Sequence, residues 1–301
     1  MPTLTIHTAT YNRAYILPKA YESLKKQTCK DFEWIITDDG STDNTEELVN
    51  GWIGEDNGFD IFYNKLNHVG IPRALNSGVN LAHTEWFMML DSDDYILPET
   101  VEKVLVWLNE IKDDDSFAGI GFARVQPDGR FMEDKTPIID DKETGFIDLT
   151  HLQRKEYQMD MEMCEIHRTE LFKQYPFQCW EDELYAPEQL NFFQIALDGK
   201  KLRWRIEKLY ICEFLPDGQT KSNILVKRNP MGFAMMYNQN LIFTKSLKEN
   251  INNAGQMIAL SLYAGHPEYI KKSNNKPLTY LLLPLGWVWS IRRKSQFKKL
   301  E

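Results

Sequence analysis

Short apolar runs alternate with segments of helical spacing along the first hundred residues. Runs at 4–8, 32–37, 59–63 and 86–90 predict four strands, and helices are predicted at about 14–27, 45–53, 71–82 and 98–111. The run at 86–90 is apolar throughout, which is typical of a strand covered on both faces. Strands that alternate with helices form βα units. The sequence therefore predicts an α/β fold, with a mainly parallel, Rossmann-like sheet and helices on both of its faces.

The pattern is less regular beyond residue 113. Further strands are predicted at 117–125, 161–167 and 202–211, a hairpin turn at 127–130, and helices near 169–174 and at 187–197. From about residue 229 the chain is predicted to be helical. We therefore expect one α/β domain built from two halves, 1–115 and 116–225, followed by a helical C-terminal region at 226–301.

Two of the predicted strands end in acidic turns. Asp38 and Asp39 close the second strand, and the tetrapeptide Asp91-Ser92-Asp93-Asp94 closes the fourth. Ligands of open α/β sheets bind outside the carboxyl ends of the strands, where the loops converge. We therefore expect the two acidic turns to face one ligand.

Asp91 and Asp93 are two residues apart, so their side chains point to the same side while the chain stays extended. Hard divalent ions such as Mg²⁺ take oxygen ligands and are commonly held by one or two carboxylates together with substrate phosphates. The spacing favours a Mn²⁺ or Mg²⁺ site for a nucleotide diphosphate, where the metal would stabilise the leaving group. The alternative is an acidic surface loop that caps a helix, and the buried strand and second acidic turn argue against it.

Composition and charge argue against several classes of protein. Apolar residues make up 43% of the chain and charged residues 26%, as in soluble globular proteins. The formal net charge of −9 argues against nucleic-acid binding. The four cysteines form no zinc-binding pattern and are expected to be reduced. No secretion signal is recognised, and the longest apolar stretch, at 278–291, is interrupted by Pro284 and Gly286, so we expect a cytoplasmic protein.

Four segments together resemble the family 2 glycosyltransferases with the GT-A fold. They are TATYNR at 8–13, FEWIITDDGSTDNT at 32–45, NHVGIPRALNSG at 67–78 and LDSDDY at 90–95. The resemblance is strong over about 1–115 and extends weakly to about 220 through YPFQCWEDELYAPEQ and EFLPDGQT, which are similar to bacterial members that assemble capsule, exopolysaccharide or lipopolysaccharide. The Gln-x-x-Arg-Trp motif of processive members is absent, so transfer of a single sugar is expected.

The resemblance implies that 1–115 binds a UDP-sugar and that 116–225 binds the acceptor and carries catalysis. It places the nucleotide among Thr8, Tyr11, Asp38 or Asp39, Asn67 and Arg73, with Asp91 near the ribose or the metal and Asp93 on the metal. An aromatic ring can stack on the base, a carboxylate can accept the uracil N–H, and a guanidinium can meet the diphosphate oxygens. In the alternative interpretations, Tyr11 packs under its loop and Arg73 pairs with a nearby carboxylate.

An inverting transfer requires a base that takes the proton from the acceptor hydroxyl. Four acidic residues cluster at Glu181, Asp182, Glu183 and Glu188. Family members often carry the base in a Glu-Asp pair that opens a helix, and this placement favours Glu188. Asp182 is the alternative, because Glu181-Asp182 supplies the dipeptide itself and a first-turn glutamate often only complements the helix dipole.

The C-terminal segment combines Trp287 and Trp289 with five basic residues at 292–299. This composition suits the headgroup zone of an anionic leaflet, and a helix packed on the domain is the alternative. The sequence thus predicts an inverting hexosyl- or N-acetylhexosaminyltransferase that uses a UDP-sugar and a glycan or lipid-linked acceptor in cell-surface polysaccharide biosynthesis. A nucleotide-sugar-binding module without turnover and a nucleotidyltransferase are the alternatives. The latter usually has a glycine-rich loop that 8–13 lacks.

Overall fold

A computed structural model describes residues 1–132, 136–139, 144–213 and 223–300. The described chain forms two compact units, one of residues 1–176 and 191–213 and the other of 177–190 and 223–300. Most of the EFLPDGQT segment lies outside the described residues. The domain boundaries predicted at residues 115 and 225 stay predictions.

In the part of the chain that the structure describes, the first unit is built on one nine-stranded sheet. Its strands are β1 (Leu4–Thr10), β2 (Phe32–Asp38), β3 (Ile61–Lys65), β4 (Trp86–Met89), β5 (Tyr95–Ile96), β6 (Phe117–Val125), β7 (Phe146–Leu149), β8 (Met163–Arg168) and β9 (Lys201–Ile211). Their order is β3-β2-β1-β4-β8-β6-β9-β5, with β7 paired to β9. Strands β3, β2, β1 and β4 are parallel, and β8 joins them antiparallel. The predicted α/β fold is confirmed.

The helices follow the strands in the first half of the chain and dominate its end. They are α1 (Pro18–Lys25), α2 (Thr45–Ile53), α3 (Ile71–Leu81), α4 (Thr100–Asn109), α5 (Thr169–Gln174), α6 (Gln189–Leu197), α7 (Asn223–Arg228), α8 (Pro230–Phe243), α9 (Leu247–Ala264), α10 (Lys276–Leu281) and α11 (Leu283–Lys298). The described residues also form 3-10 helices at His151–Tyr157 and Pro267–Lys272.

Helices cover both faces of the sheet because side chains alternate along each strand. Leu4 and Ile6 of β1 belong to a core cluster with buried residues of α1, α2 and α4. Thr5 and His7 alternate with them and point to the other face, where His7 packs against Gly78 of α3 so closely that a Cβ on Gly78 would lie 2.1 Å from the ring. This two-sided packing fixes the strand ends that carry the acidic turns.

The second unit is helical, as predicted for the C-terminal region. Its core contains Met231 of α8, Met257 and Ile258 of α9 and Phe297 of α11. The segment 177–190 joins this unit through Glu183, whose carboxylate accepts the N–H groups of Met231 and Gly232, each at 2.7 Å, at the start of α8. Within the residues that the structure describes, none of the helices combines the length and apolar character that crossing a bilayer requires.

Candidate active site

The loop after β1 is fastened to the loop after β2 by Asn12. This residue adopts a left-handed conformation with a φ of 53°, which asparagine tolerates better than most residues. Its side-chain oxygen accepts the N–H of Thr42 at 2.7 Å, and its own N–H donates to the Ser41 hydroxyl at 2.8 Å. The two loops therefore present one continuous edge.

Asp38 and Asp39 lie side by side and have different surroundings. The Asp38 carboxylate is fully buried and accepts the Tyr63 hydroxyl and the N–H of Ser41. Burial, together with this carboxylate, raises the pKa of Tyr63 above its ordinary value. The Asp39 carboxylate accepts the N–H of Val69 at 2.6 Å and that of Gly70 at 2.9 Å. Asp38 thus lies beneath the edge, whereas Asp39 holds the loop between β3 and α3.

Gly40 allows that loop to approach the end of β2. Its φ is 87°, and a Cβ on it would lie 2.8 Å from the backbone nitrogen of His68. His68 in turn stacks on Tyr11, with ring centroids 4.2 Å apart and planes at 25°. Tyr11 remains 40% exposed, so part of its ring is open to a ligand. The loops after β1, β2 and β3 meet at this stack.

The other predicted nucleotide contacts fall into two groups. Thr8 is buried inside β1, where its hydroxyl accepts the indole N–H of Trp34 at 3.0 Å. Asn67 is exposed on the loop before α3, and Arg73 donates to the carbonyl of Val69 at 2.8 Å. The structure therefore gathers Tyr11, Asp39, Asn67 and Arg73 around the loop at 67–70, whereas Thr8 is buried against Trp34 and Asp38 against Tyr63.

The tetrapeptide at 91–94 forms a turn after β4. The N–H of Asp94 donates to the carbonyl of Asp91 at 3.2 Å, so the chain is not extended here. The premise that Asp91 and Asp93 point to one side of an extended chain is therefore wrong. Each carboxylate has its own arginine: Arg124 donates to Asp91 at 2.7 Å, and Arg13 lies 3.6 Å from Asp93.

Arg124 and Tyr210 are both hydrogen-bonded to Asp91 of this turn, and neither was predicted from the sequence. The guanidinium of Arg124 lies 4.3 Å from the centre of the Tyr210 ring, whose hydroxyl oxygen accepts the N–H of Asp91 at 2.9 Å. Asp94 is buried 3.9 Å from Arg124. Burial, followed by the charge of Asp91, raises the pKa of Asp94 to about 7. The available signal was an arginine within an otherwise apolar strand, FAGIGFARV.

The carboxylates of the turn offer a suitable donor set for a hard cation. The side chains of Asp91 and Asp93 are 53% and 24% exposed, so both are open to a ligand. Among the described residues, no group of three or more His, Cys, Asp or Glu side chains is arranged to hold a metal. One or two carboxylates suffice when substrate phosphates complete the coordination shell. The residues present therefore fit a cation that is bound together with a diphosphate.

The candidate bases lie in the second unit. Asp182 is exposed, and Glu188 is half-buried directly before α6, which begins at Gln189. Glu183 is buried and bonded to the start of α8, so its carboxylate has a structural role. Within the cluster at 181–188, Glu183 therefore stabilises the fold, and the carboxylates of Asp182 and Glu188 are more accessible.

Residues 5–175 match the model of Glycosyl transferase family 2. Glycosyltransferase GlyG from Streptococcus pneumoniae serotype 4 is 32% identical over 121 residues, which are 40% of this chain and 40% of the relative. The GalNAc(5)-diNAcBac-PP-undecaprenol beta-1,3-glucosyltransferase of Campylobacter jejuni is 33% identical over 110 residues, or 36% of each protein. The chain thus matches less than half the length of these relatives.

Solved structures show the same fold. S. aureus TarS 1–349 in complex with UDP-GlcNAc superposes with a TM-score of 0.63 at 19% identity, over 97% of this chain and 89% of that one. The match to the family model covers more than half of the chain and includes both acidic turns. The chain belongs to Glycosyl transferase family 2.

Proposed function

We propose that the protein is an inverting glycosyltransferase that moves one sugar from a UDP-sugar to a glycan or lipid-linked acceptor in cell-surface polysaccharide biosynthesis. The observation that carries the proposal is the edge of the sheet in the first unit. There the Tyr11–His68 stack and the turn at 91–94 follow neighbouring parallel strands. This is the place where open α/β sheets bind nucleotides.

The nucleotide would lie against the loop at 67–70. The exposed part of the Tyr11 ring is suited to stacking on the base, and Arg73 is suited to the diphosphate. Both carboxylates are buried, and Asp39 is the stronger candidate for a polar contact because it is bonded to the loop at 67–70, whereas Asp38 is bonded to Tyr63. Thr8 supports the strand end through Trp34. The UDP-GlcNAc complex of the structurally similar TarS supports a uridine nucleotide.

Asp93, with Asp91, would hold Mn²⁺ or Mg²⁺ together with the diphosphate oxygens. A cation bound there supplies positive charge to the departing UDP. Arg13 and Arg124 keep the two carboxylates in place and partly neutralise them before a ligand arrives. They also contribute cationic charge to an edge that receives an anionic donor.

Glu188 would act as the base that takes the proton from the acceptor hydroxyl, with Asp182 as the alternative. Its half-buried position before α6 agrees with the placement of the base in the family. The relative from Campylobacter jejuni carries an undecaprenol diphosphate in the name of its acceptor, which supports a lipid-linked acceptor here. Such an acceptor would place the protein in the cytoplasm at the inner face of the membrane.

The test is a screen of UDP-sugars for Mn²⁺-dependent binding and for slow hydrolysis to UDP. We expect Asp93→Ala to weaken metal-dependent binding by at least about tenfold, the value of one charge-assisted contact. Asp128→Ala, at an exposed hairpin aspartate, is the matched control and is expected to bind normally. If Asp93→Ala bound UDP and Mn²⁺ as well as the wild type, the metal assignment would be wrong.

The second arm of the test addresses turnover. Glu188→Gln is expected to bind the donor normally and to lose about 100-fold or more in transfer, the usual contribution of a general base. Glu181→Gln is the control of the same chemistry. Full transfer by Glu188→Gln would move the base to Asp182. Donor binding without turnover by the wild type would favour the binding module, and release of pyrophosphate from a nucleoside triphosphate would favour a nucleotidyltransferase.

A further inference from the structure

One face of α11 is used for packing within the second unit. A Cβ on Gly286 would lie 2.4 Å from Ile258 of α9, and a Cβ on Gly255 of α9 would lie 2.5 Å from the ring of Trp289. Farther along, Phe297 packs edge-on against Tyr263. Gly286, Trp289 and Phe297 recur at helical spacing, so they mark the inner face of α11.

The opposite face of α11 is apolar and open. Trp287 is 60% exposed, Val288 53% and Ile291 51%, and Leu281 at the end of α10 is 76% exposed. Leu283, one turn before Trp287, is 37% exposed, and Tyr280 of α10 is 50% exposed. We call these six residues the open face. Several large apolar side chains exposed on one helix and at the end of the helix before it are typical of an interaction site, whereas single exposed side chains are ordinary.

The charge around the open face is opposite to that of the whole protein. Residues 269–300 contain eight lysines and arginines and no aspartate or glutamate, in a chain whose net charge is −9. All eight except Arg293 are exposed. Arg293 is half-buried and bonded to Gln256 at 2.9 Å. The second half of α11 thus carries a basic surface directly after the apolar one.

Exposed tryptophan and aliphatic side chains with lysine and arginine beside them favour binding in the interface of anionic membranes. Apolar side chains enter the boundary with the acyl chains, and each basic residue near the surface gains from the negative potential. An acidic surface on a partner protein would pair with the basic residues. It would not account for the exposure of Trp287 and Leu281. The combination favours lipid.

We propose that the open face of α10 and α11 binds the surface of an anionic membrane, with Trp287, Val288 and Ile291 at the acyl boundary and Lys294 and Lys298 among the headgroups. Trp289, which the sequence analysis also assigned to the leaflet, belongs to the inner face. This surface would bring the enzyme to a lipid-linked acceptor, a purpose that rests on the proposed function. Its physical basis is independent of catalysis.

The test is co-sedimentation of the full chain with vesicles of phosphatidylcholine, with and without phosphatidylglycerol. We expect binding only when the anionic lipid is present. The double variant Lys294→Glu, Lys298→Glu is expected to bind at least about 25-fold more weakly, since each basic residue contributes roughly fivefold. Trp287→Ala is expected to bind about tenfold more weakly. Circular dichroism and thermal unfolding check that these surface variants fold.

The chain offers matched controls. Val288→Ser on the open face is expected to weaken vesicle binding, whereas Val106→Ser, at a 59% exposed valine of α4, is expected to leave it unchanged. Lys103→Glu on α4 is the control for a single charge reversal. Equal binding to neutral vesicles, no binding, or binding unaffected by the open-face variants would overturn the proposal. The proposal would also be overturned if the wild type did not bind vesicles and light scattering showed a dimer that Val288→Ser converts to a monomer.

The vesicle assay contains no sugar donor, so its outcome is separable from that of the proposed function. A chain that binds anionic vesicles but transfers no sugar would disprove the transfer and keep the membrane surface. A chain that transfers sugar to a soluble acceptor but does not bind vesicles would support the transfer and disprove the membrane surface.

Discussion

Arg124 donates a hydrogen bond of 2.7 Å to the carboxylate of Asp91 from a position 33 residues away in the sequence. Arg130 makes a contact of the same length, 2.7 Å, with Asp128 in the hairpin that follows β6. The two pairs differ in burial, because the side chain of Arg124 is 13% exposed and that of Arg130 60%. These two arginine–aspartate pairs therefore have equal length and different surroundings.

Arg124→Ala is expected to reduce the free energy of unfolding by about 3 kcal/mol, because it leaves the buried carboxylate of Asp94 without its nearby cation. Arg130→Ala is expected to cost less than about 1 kcal/mol, since an exposed ion pair contributes little. Urea unfolding of both variants measures the difference. The loss from Arg124→Ala should shrink when Asp94 is also changed to Asn, and equal losses in the two single variants would contradict the role given to burial.

Gly40→Ala is expected to destabilise the protein by about 1–3 kcal/mol and to weaken UDP binding. The φ of 87° disfavours any side chain, and the added Cβ would meet the backbone of His68 at 2.8 Å. Gly129→Ala separates the two effects, because its φ is 81° and no atom lies within 4 Å of the added Cβ. Urea unfolding and UDP titration of the pair should show a larger loss of stability and a loss of affinity only for Gly40→Ala.

Tyr11→Ala is expected to weaken UDP binding by about fivefold to a hundredfold, the range of stacking between a base and an aromatic side chain. Tyr11→Phe keeps the ring and should bind UDP nearly as well as the wild type. Titration with inorganic pyrophosphate supplies the internal control, because it lacks a base. If Tyr11→Ala lost affinity for pyrophosphate and UDP alike, the ring would support the loop and the stacking role would be wrong.

Local patterns explain which elements could be predicted. The helix at Thr45–Ile53 and the strand at Phe117–Val125 agree with the sequence analysis residue for residue, because a polar turn or a long apolar run defines their ends. Strand β5 has two residues and β7 has four, which are too few to show a period. These strands form through pairing with β9, a contact that local sequence does not encode.

The sequence predicted which residues belong to the candidate active site, but not which side chains contact one another there. Asp91 and Asp93 stood out because they follow a buried strand. Their arginine partners come from other elements, Arg124 from β6 and Arg13 from the loop after β1, so only the fold reveals them. Likewise, Asp38 and Asp39 are adjacent in the sequence and both buried, and only the fold shows that Asp38 is bonded to Tyr63 and Asp39 to the loop at 67–70.

His7 is a buried neutral histidine in the middle of β1. Its Nε2 lies 2.9 Å from the hydroxyl of Thr37, and its ring stacks on Phe87 with centroids 5.3 Å apart. Burial lowers the pKa of His7 to about 3, from the ordinary value of 6.5. The folded protein therefore keeps this ring neutral over a range in which the unfolded chain protonates it.

Because the unfolded state binds the proton first, His7 lowers stability as the pH falls from about 6.5 towards 3, and has no such effect above that window. The slope for one histidine is about 1.4 kcal/mol per pH unit, so about 2 kcal/mol of the loss between about pH 7 and pH 5 belongs to His7. His7→Asn is expected to be less stable at neutral pH and to lose less stability on acidification, by that amount. His83→Asn, at an exposed histidine, should keep the full pH dependence. Urea unfolding at pH 7 and pH 5 measures both variants, and an unchanged acid slope in His7→Asn would show that His7 does not stay neutral in the folded protein.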